Sequence, residues 1–358
     1  MSIFCEVYGQ CGGCSLQHLT SQEYLEQKRN TAQKTLDALE QDSALMQPLI
    51  EGDKAQRRRV ELKVRVAKNQ VSLGYLEKKS HYLVAITHCP VATKEINHLI
   101  PLLKDVFSRM KKPGVIHAVQ LTSVSNGIDV SITGKTSLHA KDADILQEFA
   151  ASQPICRFIY SYDKHHVTSL YHHDAITHFN NVAVILPYAP FLQATLAGEN
   201  AIRSVITAYL KGNHIIDLYC GCGTYSLPLA QAGKYIAGYE GNYDMVVASN
   251  NAARAQNIEE RIMAYQADLF KHPIDVAALK PYDSAIINPP RNGALPQINM
   301  LTARRIPQII MVSCNPSTFQ RDASHILQSG YQLISLTPID QFYMTHHLEL
   351  VGVFELQV

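Results

Sequence analysis

The hydrophobic pattern changes its period along the chain. Over residues 21–39 it is mostly polar, with Leu25, Leu36 and Leu39 as the apolar positions, which predicts a polar helix. From Val60 the period becomes two. Val60, Leu62, Val64 and Val66 alternate with Glu61, Lys63 and Arg65, as in a strand with one buried face. A second strand over 71–76 makes a hairpin around Lys68, Asn69 and Gln70. Strands over 115–124 and 128–132 flank Ser125-Asn126-Gly127, a strong hairpin signal. Residues 48–190 therefore read as a sheet-rich middle domain with a few helices. After Tyr188, apolar runs at 215–219, 235–239, 262–265, 284–287 and 309–312 alternate with helical segments. That is the βαβ rhythm of a parallel, doubly wound sheet. Runs at 331–336 and 348–354 have no helical segment between them, which predicts an antiparallel closing pair. The fold class is α/β, with an N-terminal Cys-rich arm and helix (1–47), the middle domain (48–190) and a C-terminal domain (191–358).

Composition alters this picture little, and charge more. A chain of 358 residues exceeds one compact core, and 46% hydrophobic with 18% charged residues suits a globular enzyme. The opening Met1-Ser2-Ile3-Phe4-Cys5 is no signal peptide, and no run approaches the roughly 20 apolar residues of a membrane span. A soluble cytoplasmic monomer without membrane contact is expected. Between Glu51 and Lys112 stand fourteen Lys/Arg against six Asp/Glu, a net +8. With the whole chain at +1, the remainder carries −7. Such asymmetry points to a polyanionic partner on the middle segment, with Arg57, Arg58, Arg59 and Lys63 as candidate phosphate contacts.

The first run of the C-terminal domain ends in Asp217-Leu218-Tyr219-Cys220-Gly221-Cys222-Gly223-Thr224, where strand turns into helix. Glycines there let a ligand approach the backbone. A dinucleotide site would want a third glycine where Ser226 stands, so the looser G-x-G suits S-adenosylmethionine better than NAD. Glu240 closes the second strand, where an acid can bind ribose hydroxyls, and Asp268 follows the third and is placed for the adenine edge.

Two further motifs end later strands: Asn288-Pro289-Pro290-Arg291 and Ser313-Cys314-Asn315-Pro316-Ser317-Thr318. Amino-group methyltransferases follow Asn-Pro-Pro with an aromatic residue that stacks on the base, and Arg291 argues against that reaction. A thiol at a strand end is placed to act as a nucleophile, with Arg291 as a cation to help ionise it. Methylation of uracil at carbon 5 needs such a thiol. Its addition to carbon 6 makes an enolate whose carbon 5 attacks the methyl group, and a base then removes the carbon-5 proton.

Eight cysteines, at 5, 11, 14, 89, 156, 220, 222 and 314, point to metal binding or catalysis in an intracellular chain rather than to disulfides. Cys5, Cys11 and Cys14, completed by Cys89, supply four thiolates for zinc or an iron–sulfur cluster. Their spacing is not the C-x3-C-x2-C of radical enzymes. Cys156, Cys220 and Cys222 read as packed or loop cysteines. The pairs His165-His166 and His172-His173 lack the i, i+4 spacing of a helical metal site and read as exposed histidines. Tyr160-Ser161-Tyr162 suits either base stacking or core packing.

The run from Ser313 to Asp322, SCNPSTFQRD, resembles the nucleophile motif of the bacterial RNA uracil-C5 methyltransferases that act on 23S ribosomal RNA and on the T-loop of tRNA. His347-Leu348-Glu349 is similar to their H-x-E element, and Phe191-Leu192-Gln193 to their F-x-Q element. The resemblance covers essentially the whole chain. It implies a class I Rossmann-like methyltransferase sheet, with Cys314 as nucleophile and Glu349 as general base. It places Gln193, Tyr219, Glu240 and Asn288 on S-adenosylmethionine, beside the loop residues Asp217, Gly221, Gly223 and Thr224 and the strand-end Asp268. The four-cysteine pattern with His88-Cys89-Pro90 looks like that of the [4Fe–4S] subgroup acting on 23S ribosomal RNA, which implies a structural iron–sulfur arm. Many members have Asp where this chain has Asn288, although the iron–sulfur subgroup also shows Asn-Pro-Pro-Arg. Thr195 replaces the Asn that normally follows F-x-Q, and no RNA-binding barrel precedes Cys5 as in some larger members. A tRNA T-loop target, or a non-catalytic RNA-binding assembly protein on the same fold, are the other readings. Retention of Cys314, Glu349 and the cofactor loop argues against the latter.

Overall fold

The computed structural model describes residues 4–68, 70–163, 166–274 and 282–357. Asn69, in the first expected hairpin turn, and His165, of the first histidine pair, lie outside the described residues. Helix α1 (Ser21–Ala38) starts at a capping box. The Thr20 hydroxyl accepts the Glu23 N–H at 3.3 Å, and the Glu23 carboxylate accepts the Thr20 N–H at 2.8 Å. Its buried stripe runs through Tyr24, Lys28, Ala32 and Leu36, one residue per turn. Of the three leucines expected to carry the apolar face, Leu25 is only partly buried.

The middle domain contains β1 (Arg59–Ala67), β2 (Gln70–Leu76), β3 (Leu83–Ala85), α2 (Lys94–Arg109), β4 (Ile116–Val124), β5 (Gly127–Gly134), α3 (Ala140–Ala151), β6 (Ile155–Ser161) and β7 (Val167–His172). The strands form one sheet in the order β3-β2-β1-β4-β5-β6-β7. Only β5 and β6, joined through α3, are parallel. Val60, Leu62 and Val64 pack with Ile96, Leu103 and Phe107 of α2, so alternation turns Glu61, Lys63 and Arg65 away from that core. Tyr160 is buried in the same core and donates to the Thr136 carbonyl at 2.6 Å, which decides for packing over base stacking.

A hairpin follows, β8 (Ile176–Phe179) and β9 (Val182–Ile185). The C-terminal part contains α4 (Leu196–Tyr209), β10 (His214–Leu218), α5 (Ser226–Gln231), β11 (Tyr235–Glu240), α6 (Tyr243–Ala255), β12 (Ile262–Gln266), β13 (Ser284–Ile287), α7 (Leu295–Ala303), β14 (Gln308–Ser313), α8 (Pro316–Gln328), β15 (Tyr331–Ile339) and β16 (Glu349–Leu356). Its sheet runs β12-β11-β10-β13-β14-β16-β15. The first five strands are parallel and the last two antiparallel, as the apolar runs predict. The central strands β10, β13 and β14 bury both faces, which is why they read as unbroken apolar runs. Ile215, Ile286 and Ile310 meet α4, α5 and α6 on one side. Ile216, Ala285, Ile287 and Ile309 meet α7 and α8 on the other.

Packing crosses two of the boundaries expected from the sequence. Ala32 and Leu36 of α1 belong to the α7–α8 layer, so the N-terminal helix is part of the C-terminal core. Phe179, Val182 and Val184 of the hairpin share a core with Ile202 and Ile215, so packing with the C-terminal domain begins well before residue 190. Both cases have one cause: an element too small to bury its own apolar face takes whichever core it reaches. Among the described residues no helix is long and apolar enough to cross a membrane.

Candidate active site

The strand order reverses between β10 and β13, and a cavity of about 620 Å³ opens there at the carboxyl ends of the strands. The loop after β10 forms its floor. Tyr219, Gly221 and Gly223 all have positive φ, 63°, 58° and 86°. At Gly223 a side chain would also collide, since a Cβ would lie 2.7 Å from Ser249 Oγ and 2.8 Å from Leu227 Cγ. The Gly221 N–H donates to Glu240 Oε2 at 3.1 Å, and Glu240 Oε1 accepts the Asn242 N–H at 2.8 Å. The acid ending β11 is thereby fixed at the cavity edge.

Tyr219, Gly221, Thr224, Glu240, Asp268, Asn288 and Gln193 line this one cavity. Asp217 and Gly223 are not among its lining residues. Asp217 is buried beneath the loop, where the Ser226 hydroxyl donates to Oδ2. Burial pushes its carboxyl up to about 7, against the opposing pull of that hydrogen bond. These two residues shape the loop from beneath the cavity floor. Asp268 accepts the Phe270 and Lys271 N–H groups, each at 3.2 Å, and these bonds, the Lys271 one first, hold its carboxyl low.

Cys314, Glu349 and Arg291 line the same cavity. Cys314 ends the β14 turn, immediately before Asn315, whose Oδ1 accepts the Ser317 N–H at 3.1 Å and caps α8. The thiol therefore stands at the positive end of a helix. Burial and then the Glu349 carboxylate push the thiol up, whereas Arg291, close enough to hydrogen-bond the sulfur, pulls it down. The Arg291 carbonyl in turn accepts the Asn315 amide at 3.1 Å and the Thr318 hydroxyl at 3.2 Å, tying the two strand-end motifs together. Glu349 opens β16 and is 2% exposed. Burial raises its carboxyl to about 7, and a hydrogen bond from Gln341 opposes the rise. His347 is held down at about 4, chiefly by burial.

The basic residues divide. Arg57 and Arg59 line the cavity mouth with Gln120 and Glu61. Lys63 lies beyond it, 2.5 Å from Glu61. The expected phosphate contact at Arg58 is corrected. It is 6% exposed and pairs with the fully buried Glu199 of α4 at 2.5 Å, and its Nε donates to the Gln193 carbonyl at 3.0 Å. Strand alternation sends Arg58 inward between its two neighbours. The sequence reading also missed Gln341, Tyr225 and Phe342 around the cavity and a buried group behind it. In that group, Lys28 Nζ lies 2.8 Å from Asp340 Oδ1 and donates to the His347 carbonyl at 2.5 Å, while Tyr24 donates to Asp340. A lysine four residues from an aromatic on a helix was the available signal, but it reads as a solvated face.

A second cavity, of about 480 Å³, is lined by Cys5, Cys11, Cys14 and Cys89, with Gln17 and Tyr75. The Gly12 N–H donates to the Leu76 carbonyl at 3.2 Å, and the Ser15 and Leu16 N–H groups to the Met344 carbonyl at 2.9 and 3.1 Å. The arm is thus pinned to both domains. Gly13 donates its N–H to Cys11 Sγ at 3.4 Å and the Tyr75 hydroxyl points at Cys89 Sγ at 3.9 Å. Burial raises the Cys11, Cys14 and Cys89 thiols, Cys14 to about 11. The buried Gln17 side chain lies against the Cys14 thiol and opposes that rise. Among the described residues, no three metal-ligating groups converge tightly enough to hold a single ion. Cys156, Cys220 and Cys222 are buried free thiols, and His172 and His173 are exposed, as expected.

A mostly parallel sheet with a glycine loop, strand-end acids and a strand-end thiol around one cavity has the layout of a cofactor-dependent transferase site. The model of the family described as tRNA (Uracil-5-)-methyltransferase matches residues 200–357. The chain is 31% identical to the 23S rRNA (uracil(1939)-C(5))-methyltransferase RlmD of Haemophilus parainfluenzae, over 98% of this chain and 81% of that one. It is 32% identical to an uncharacterized RNA methyltransferase of Caulobacter vibrioides, over 98% and 85% of the two chains. The fold is similar to that of the Pyrococcus abyssi tRNA (uracil-54, C5)-methyltransferase solved with S-adenosyl-L-homocysteine, with a TM-score of 0.75 and 21% identity, over 97% of this chain and 86% of that one. The chain belongs to the RNA uracil-C5 methyltransferase family and is an S-adenosylmethionine-dependent methyltransferase.

Proposed function

We propose that this enzyme methylates carbon 5 of a uridine in 23S ribosomal RNA through a covalent adduct at Cys314, resolved by Glu349. The observation that carries this reading is that the thiol, the carboxylate and the cofactor loop line a single cavity. Gln193, Tyr219, Glu240, Asp268 and Asn288 would hold S-adenosylmethionine, which supplies the methyl group when bound. Cys314 adds to carbon 6, with Arg291 favouring its thiolate form. Glu349 then takes the carbon-5 proton. The electrons of that C–H bond form the 5,6 double bond, and the carbon–sulfur bond breaks to return the thiolate. A carboxyl raised to about 7 is suited to the task, because it is ionised yet still basic near neutral pH. The uridine must be unstacked to admit groups at both carbons, and Arg57 and Arg59 at the mouth, with Lys63 beyond, suit its phosphates.

Cys5, Cys11, Cys14 and Cys89 would hold a [4Fe–4S] cluster as a structural tie. Donors already aimed at sulfur, from the Gly13 N–H, the Tyr75 hydroxyl and the Gln17 side chain, support the fit. A cluster spaces its four thiolates more widely than one metal ion does, in keeping with sulfurs ringing a cavity.

Mapping 5-methyluridine in ribosomal and transfer RNA from knockout and parent cells tests the target. Loss of one site in 23S RNA supports the reading, and loss in tRNA alone moves the target there. For the mechanism, Glu349→Gln should form methylated adduct and stall its release by about 10²–10⁴-fold. Free methylated RNA at the normal rate would remove Glu349 from its role.

A further inference from the structure

Gln341 lies two residues past the end of β15, eight residues before Glu349, and its three polar contacts are all specified. Its Nε2 donates to Gln193 Oε1 at 2.9 Å and to Glu349 Oε2, while its Oε1 accepts the Ala194 N–H at 3.2 Å. The amide cannot be reversed. Turned over, its oxygen would face two acceptors and its NH₂ would face a backbone donor. Gln193 is fixed in turn, since with Oε1 taken its Nε2 donates to Tyr225 Oη at 3.1 Å. Glycine at 198 makes room for this arrangement, because a Cβ there would lie 2.5 Å from Gln341 Cβ. All three side chains, Gln193, Gln341 and Glu349, are buried.

We propose that Gln341 is a positioning residue that selects which oxygen of Glu349 receives the carbon-5 proton and holds that base in register with the methyl-donor contact Gln193. Oε2 already commits a lone pair to the Gln341 N–H and is the less basic oxygen, so the proton goes preferentially to Oε1. The same bond favours the ionised base and counters the burial that raises it. The other titratable or charged groups around the carboxylate are Cys314 and Arg291 from the strand-end loops and Tyr225 ahead of α5. Among the described residues, none of them donates a hydrogen bond to the carboxylate in place of Gln341. This inference rests on the proposed role of Glu349.

The test follows adduct formation and adduct release separately on denaturing gels between pH 6 and 9, at saturating S-adenosylmethionine. Gln341→Met removes both donors at similar length. Gln341→Glu keeps the shape and makes two carboxyls compete for one proton, and it provides the readout if the first variant fails to fold. Adduct should still form in both. Release should slow about tenfold at neutral pH, recover as pH rises, and show its acid limb moved upward, further for Gln341→Glu. A wild-type acid limb in both variants, or an equal loss at every pH, would overturn the proposal. Glu349→Gln run alongside separates the two readings: if it releases product normally, the role of Glu349 fails, whereas stalling there with unshifted Gln341 variants defeats only this inference.

Discussion

Two cavities in this molecule are walled by half-buried thiols, and they differ in what faces the sulfur. Cys314 has a carboxylate and a guanidinium opposite it. Cys5, Cys11, Cys14 and Cys89 have chiefly one another, with donors such as the Gly13 N–H and the Tyr75 hydroxyl. The cavities share a wall at Arg57, Val60 and Glu61, so a few residues separate the two sets of thiols. Exposure does not distinguish them, since all five cysteines are of intermediate accessibility while the other three are buried. Partners set the chemistry. A lone thiol beside a cation and a base suits bond making and breaking, and four thiols around a void suit holding something between them.

The largest effect should come from Cys314→Ala, which is expected to lower methyl transfer by on the order of 10⁴-fold or more. Iron and sulfide content of the purified protein should stay unchanged, whereas Cys14→Ser should lose both. Metal analysis alongside methyl transfer separates the two cavities. Loss of iron on Cys314→Ala would merge them.

Next are the adjacent Arg58 and Arg59, the first buried and the second lining the larger cavity. Arg58→Ala strands the buried Glu199 carboxylate and should cost about 3–5 kcal/mol in denaturant unfolding. Arg59→Ala should leave stability intact and reduce the salt dependence of RNA binding by about one unit of slope. The reverse assignment of the two phenotypes would refute the inward and outward placement.

The smaller effect concerns Glu349 and the pH. Its folded-state value, about 7, lies above its ordinary value of 4.5, so between the two the folded protein keeps a proton that the unfolded chain has lost. Its contribution to stability therefore declines as pH rises through that window. Glu349→Gln should stabilise the protein at pH 8 by on the order of 2–3 kcal/mol, with the gain vanishing toward pH 4. Wild-type product release should show the opposite demand, slowing as pH falls below about 7. A stability gain independent of pH would mean that the carboxyl is not raised by burial.

Much of the catalytic half was readable in the chain because strands buried on both faces write themselves as short apolar runs with polar motifs at their ends. Residues 284–287 coincide with β13, and the cofactor loop and the Cys314 motif follow their strands directly. What escaped depends on partners distant in sequence. Lys28 sits in a helical stripe that buries it only because Asp340 stands opposite. Arg58 looks like one of three equivalent arginines until alternation and Glu199 select it. Gln341 has no local signature, since its meaning lies in contacts with residues 193, 194 and 349. The β8–β9 hairpin carries a correct strand pattern but no mark of which core will receive it.

The central claim is that a sulfur and a carboxylate act on one pyrimidine ring, and the most direct test is capture of the first bond. The enzyme is incubated with S-adenosylmethionine and 23S RNA fragments carrying 5-fluorouridine, whose carbon-5 fluorine cannot leave as a proton, and the adduct is digested for mass spectrometry. The account predicts a methylated nucleotide attached to the peptide that contains Cys314. An adduct on another cysteine, or 5-methyluridine formed from ordinary RNA by Cys314→Ala at the wild-type rate, would contradict it.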